Sequence, residues 1–179
     1  MMSEEKKDPW LNYLALSTVI LAVCATLSTF KGGGYSTRSI ISQTQASDQW
    51  AFFQAKSVKA NLYQLQKEKL ALDLWALPAH SSPELKRHFE QALQDYGSKV
   101  AKYEQEKTQI QQKAKQLESE RDQAQRHSKP FGLAVIFLQI AILLSSIAGL
   151  FKRKPVWYAA WPMGIIGAIY FADGFFLFM

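Results

Sequence analysis

The stretch Leu77-Pro-Ala-His-Ser-Ser-Pro83 decides the fold because of what lies on either side of it. Its two prolines cannot continue a helix. Before it, Ala51, Ala55, Val58, Leu62, Leu65, Lys69, Leu72 and Ala76 advance by alternating steps of four and three. That is the heptad seam of a helix that packs lengthwise on another helix. After it, Tyr96, Val100, Tyr103, Lys107, Ile110, Ala114, Leu117, Arg121 and Ala124 repeat the same steps. Ser82 is placed to cap the second helix, with Pro83 at its first position and Glu84 in its first turn. A short turn between two long helices makes them antiparallel neighbours. Residues 40–129 are therefore expected to form a coiled-coil hairpin that turns at residues 77–83.

This seam is rich in alanine and carries lysine and arginine, so a hairpin held by it alone would be weak. The first helix also offers a second stripe, Ala46, Trp50, Phe53, Ser57, Ala60, Gln64, Ala71 and Leu74. One partner helix cannot cover both stripes. The second stripe, led by Trp50 and Phe53, is therefore expected to meet a neighbouring subunit. The plainer alternative is that Trp50 and Phe53 rest on the membrane-proximal part of their own chain.

Apolar blocks flank the hairpin. Residues 1–9 are a short polar tail with Lys6 and Lys7, and Trp10 to Phe30 follow without a charge. About twenty apolar residues cross a bilayer core, so 10–30 reads as a first transmembrane helix. Aromatic anchors, Trp10 and Tyr13 at one end and Phe30 and Tyr35 near the other, fit that reading. Lys31-Gly-Gly-Gly34 is expected to break the helix and make residues 31–39 a flexible joint. Lys31 and Arg38 within it are placed to meet lipid headgroups. Residues 130–151 form a second span, residues 152–155 a basic turn, and residues 156–179 a third span. Small residues recur at four-residue spacing in both: Ala141, Ser145 and Gly149, then Ala160, Gly164, Ala168 and Ala172. Such ridges let helices approach closely in lipid. The fold class is thus an all-α membrane protein, three transmembrane helices with a helical hairpin between the first two.

The tail and the turn Lys152-Arg-Lys154 lie two spans apart and so on one side, with five basic residues between them. The positive-inside rule puts that side in the cytoplasm and the hairpin and carboxyl end outside it.

The net charge of +6 does not indicate nucleic acid, because residues 31–130 mix 16 Lys+Arg with 11 Asp+Glu and no basic face carries interleaved aromatics. The single cysteine, Cys24, excludes an intrachain disulfide. His80, His88 and His127 are scattered and read as solvated, with no acidic or cysteine cluster beside them to make a metal site. No nucleophile has a recognisable base, and the glycine run lacks the spacing of a phosphate loop. No catalytic residue, cofactor or metal is expected. Asp173 is the one costly residue, a carboxylate within the third span. Such a group pairs with a cation, reaches the surface or lines an ion path. The structural role, pairing with Lys31 or Arg38, is the expectation.

The run Trp10-Leu-Asn-Tyr-Leu-Ala-Leu through Ser28-Thr-Phe-Lys-Gly-Gly-Gly-Tyr-Ser-Thr-Arg38, and on to Gln45-Ala-Ser-Asp-Gln-Trp-Ala-Phe-Phe-Gln-Ala-Lys-Ser57, resembles a family of bacterial membrane proteins catalogued as domain of unknown function 4337. The resemblance implies a bacterial inner-membrane protein. It implies no activity, cofactor or catalytic residue. The expected function is a homo-oligomeric scaffold or spacer that touches itself and membrane lipids. The alternative is a channel or transporter component, with Asp173 and the polar residues Ser17, Thr18, Thr26 and Ser28 along its path.

Overall fold

A computed structural model of the protein describes residues 9–78 and 80–179. The amino tail with Lys6 and Lys7, and Ala79 in the turn, lie outside the described residues. Three helices make up the chain: α1 (Pro9–Trp75), α2 (Pro83–Leu150) and α3 (Lys154–Phe176). There is no strand among the described residues. Each helix contains a window long and apolar enough to cross a membrane. Ser42–Ser119 form one compact unit, and the remaining described residues form another.

The turns obey the local chemistry of their residues. Ser82 caps α2: its hydroxyl accepts the Leu85 N–H at 3.2 Å, and its carbonyl accepts the Lys86 N–H at 3.3 Å. The end of α2 closes as a Schellman motif. The Arg153 N–H reaches the Ala148 carbonyl at 3.1 Å and the Lys152 N–H reaches Gly149 at 3.4 Å, with Lys152 left-handed at φ 49°. Pro155 then falls in the first turn of α3, where its missing N–H costs nothing.

In the unit 42–119, α1 and α2 run antiparallel. Trp50 donates its indole N–H to Glu118 at 2.9 Å, Lys56 pairs with Glu106, and Tyr63 packs on Tyr96 and Tyr103 at 5.8 and 5.6 Å. The α2 side of this seam is the expected heptad row. The α1 side is not. The row that faces α2 is Ala46, Trp50, Phe53, Ser57, Ala60 and Gln64, the stripe expected to meet another subunit. The row expected to form the seam lies in solvent: Val58 is 59%, Leu62 55%, Leu65 62% and Leu72 67% exposed. The stripe expected to face outward faces α2, and the stripe expected to face α2 is exposed.

The physical reason lies in the aromatic rings and the cations opposite them. Lys107 sits over the Phe53 ring at 5.6 Å and Lys56 over Tyr103 at 5.2 Å, and Lys99 lies over both Tyr63 and Tyr96. Each such contact stabilises by about 0.5–1 kcal/mol at exposed sites. Ala46, Ala60 and Ala114 are buried between the rings and let the backbones approach. The hydrogen bond from Lys56 holds the Glu106 carboxyl below the usual carboxylate range, and Glu106 in turn raises Lys56. This pair stays ionised through the neutral range. The expected α1 stripes do not register this ladder, because Lys56 and Tyr63 lie on neither of them.

The other unit packs all three helices on one another. Its buried row on α2 is Phe131, Ala134, Leu138, Ala141, Ser145 and Ala148. The α2 ridge is consumed inside the chain, and of the α3 ridge Ala160 and Gly164 are buried while Ala168 is exposed. A methyl placed on Gly149 would sit 3.5 Å from Leu14, and one on Gly164 3.3 Å from Leu21. On α3 the buried row is Ala160, Gly164 and Gly167 rather than Ala160, Gly164, Ala168 and Ala172. The heptad step of the α2 contact wins over a strict four-residue repeat. At Gly167 the helices are so close that a methyl would meet Leu138 Cγ at 2.7 Å and its backbone N at 3.0 Å.

The expected flexible joint is absent. α1 passes through Lys31-Gly-Gly-Gly34 as helix, with no glycine at positive φ. Pro130, expected to mark a boundary, likewise lies inside α2. Gly32 has a packing role, because a methyl on it would fall 2.9 Å from Phe131 Cβ, whereas Gly33 and Gly34 have nothing within 4 Å. Gly32→Ala should therefore lower the thermal stability of the detergent-purified protein. Gly33→Ala and Gly34→Ala should each raise it, by up to about 1 kcal/mol, through helix propensity. Destabilisation by the latter two would restore the joint.

Candidate functional site

The densest cluster of polar and aromatic groups gathers where α3 ends. A helix leaves its last four carbonyls without partners, and here those of Asp173 and Gly174 are satisfied. The Asp173 carbonyl accepts the Leu177 N–H at 2.8 Å, with Leu177 left-handed at φ 50°. The Gly174 carbonyl lies 2.8 Å from His127 Nδ1. A carbonyl can only accept, so Nδ1 carries the hydrogen and Nε2 is the remaining nitrogen of the ring. Tyr35 of α1 stacks on His127 at 4.7 Å and on Phe131 at 6.1 Å. Phe131 is fully buried, with Phe175 edge-on at 5.0 Å. A methyl on Gly174 would lie 2.7 Å from the Phe131 ring. Ser128 donates to the Gly32 carbonyl at 3.2 Å, which ties α2 to α1 one turn from the same ring.

Asp173 is only 3% exposed, and its Oδ1 accepts the backbone N–H of Met179 at 2.8 Å. Among the described residues it forms no ion pair with Lys31 or Arg38. The expected cation pairing is thus replaced by a backbone cap. This fixes the chain after α3 and places a hydrogen-bond donor on a carboxylate that would otherwise be buried without one.

The other sequence-derived residues are spread out. Trp50 and Phe53 lie in the hairpin seam. Lys31 and Arg38 are exposed on α1. Arg38 lines a cavity of about 420 Å³ together with Tyr35, Glu120, Gln123, Ala124, Arg126, His127 and Leu177. A shallower hollow of about 570 Å³, formed by Thr29, Phe30, Lys31, Gly34, Tyr35 and Arg38, shares two of those residues. The sequence reading missed His127, which is half-buried and holds α2 to α3. Its signal was available: it sits on α2 between Ala124 and Phe131, in line with the seam. The hydroxyls of Ser17, Thr18, Thr26 and Ser28 each donate to a carbonyl three or four residues back in α1. Those bonds satisfy them without water. Among the described residues no three His, Cys, Asp or Glu side chains converge as a metal site.

Asp173→Ala should speed hydrogen exchange at Met179 and lower stability by about 1 kcal/mol, the loss of one buried acceptor. Asp173→Asn, which keeps an acceptor oxygen, should stay near the parent. Equal losses in both variants would assign the role to the charge instead.

A family model described as Domain of unknown function (DUF4337) matches residues 10–177. No curated protein and no solved structure matches the chain.

Proposed function

The chain belongs to the DUF4337 family, and we propose that it is a non-catalytic, homo-oligomeric scaffold of the bacterial inner membrane. In this reading α1, the second half of α2 and α3 cross the bilayer as three spans. The hairpin 42–119 is a coiled coil outside it. The amino end and the Lys152-Arg-Lys154 turn face the cytoplasm, and the hairpin and carboxyl end face the periplasm.

One observation carries the oligomer: the apolar row Val58, Leu62, Leu65 and Leu72 is exposed along one face of α1 in the hairpin. Leucines at heptad spacing on a helix whose own seam is filled elsewhere need a partner of matching period. A second copy presents the same row at the same spacing, so two copies are complementary without further adjustment. The flanking Lys59, Glu68 and Asp73 carry both signs, which suits an identical neighbour. The ridges of the spans lend little support, since the chain itself covers most of them, Ala168 excepted. The scaffold role is supported by this extended interaction surface.

Leu62→Ser with Leu65→Ser should reduce the assembly in mild detergent to single chains and leave helicity unchanged. Trp50→Ser with Phe53→Ser should instead destabilise the hairpin, by roughly 1–3 kcal/mol. A parent protein that is monomeric in detergent, and that does not crosslink to itself in native membranes, would sink the oligomer.

The orientation is checked separately. Ser81→Cys should react with an impermeant thiol reagent in cells whose outer membrane alone is permeable. Reaction only after the inner membrane is breached would invert the topology.

A further inference from the structure

The Arg38–Arg126 cavity deepens that reading. Both guanidinium groups line it, and among the described residues neither pairs with a carboxylate. Glu120 also lines it but has an interaction of its own. Two arginines around one hollow suit a phosphate, since guanidinium groups bond phosphate oxygens in pairs and with charge assistance.

The neighbouring hollow decides which phosphate compound fits. It shares Tyr35 and Arg38 with the first and continues to Phe30, whose ring is 77% exposed at the end of the apolar run Trp10–Phe30. A polar cavity that opens onto an apolar ledge matches a molecule with a charged head and a hydrocarbon tail. A free anion would use the first cavity and leave the second without a purpose. We propose that this is a binding site for an anionic phospholipid, with its phosphate between Arg38 and Arg126 and its glycerol and first acyl carbons along Tyr35 and Phe30. Lys31 stands at the rim of the second hollow, where a second headgroup oxygen would lie. The site rests on the reading of α1 as a membrane span.

The test is retention of lipid by the full-length protein, purified in mild detergent and titrated with phosphatidylglycerol, phosphatidylcholine or inorganic phosphate. Native mass spectrometry and thermal unfolding are the readouts. Phosphatidylglycerol should remain bound and raise the unfolding temperature, and phosphatidylcholine should do neither. Arg38→Gln and Arg126→Gln should each weaken phosphatidylglycerol binding about tenfold, the order expected for one charged hydrogen-bonding partner. Both side chains are exposed, so the variants should keep the parent's helicity. Gly33→Ala, outside both cavities, should bind as the parent does. Inorganic phosphate acting as well as the lipid would overturn the lipid in favour of a soluble anion. Phosphatidylglycerol binding unchanged in both variants would overturn the site. Extraction of the protein from membranes by alkaline carbonate would instead remove the span on which the proposal stands, a failure distinct from the other two.

Discussion

Everything around the carboxyl end of α3 depends on the burial of one ring. Phe131 is completely enclosed, and it fits only because Gly32 of α1 and Gly174 of α3 present no side chain to it. In a packed interior a methyl at 2.7–2.9 Å from another carbon has nowhere to go. The two glycines thereby set the distances of α1 and α3 from α2. The polar contacts follow from that spacing. Ser128 reaches the Gly32 carbonyl and His127 reaches the Gly174 carbonyl because each stands within four residues of Phe131, on the turn that the ring has already fixed. Tyr35 closes over both rings. A cluster that looks polar is therefore held in place by an apolar contact.

The same unit accounts for its costly groups without external help. The hydroxyls of the first apolar run return to their own helix, the orphan carbonyls of α3 find His127 and the Leu177 amide, and Asp173 receives the Met179 amide. In the hydrocarbon core that we propose for these helices, unsatisfied polar groups cost several kcal/mol each. Such thorough local pairing is what that medium demands. It also weakens the case for Asp173 as a conducting group, because its carboxylate already has a fixed structural partner.

Much of this was legible in the sequence. The turn, the Ser82 cap, the three apolar helices and the α2 seam all follow from proline, serine and heptad spacing. The errors share a cause, which is that local propensity was read where tertiary packing decides. Three consecutive glycines look like a joint, yet Gly32 is there for the Phe131 ring, and α1 does not break. Pro130 looks like a boundary, yet it is buried inside α2. On α1 of the hairpin, counting leucines selected the wrong face. Tyr63 was not counted at all, although it is the centre of the aromatic ladder. His127 reads as solvated in the sequence because no metal partner stands near it. Its true partner, Gly174, is a backbone carbonyl, which no side-chain motif can reveal.

The buried residues of α2 keep one spacing from end to end while their chemistry changes. From Tyr96 to Leu117 the row holds two tyrosines, a lysine, valine, isoleucine, alanine and leucine, and its rings are covered by cations. From Phe131 to Ala148 it holds phenylalanine, leucine, alanine and serine with no charge at all. In the reading proposed above the hairpin lies in water and residues 131–148 lie in lipid, and the difference follows from that. In water, burying a ring is favourable in itself, and a lysine stem can shield the ring while its head stays hydrated. In lipid the surroundings are as apolar as the seam, so close backbone approach and dispersion must supply the attraction. That requires small side chains, and the glycines and alanines of α3 opposite this row provide them. Heptad spacing alone therefore says where a helix is touched. The residue type at each heptad position says in which solvent the contact is made. In the membrane reading proposed above, the change of medium would fall between Leu117 and Phe131, the interval that contains Arg121, Arg126 and His127.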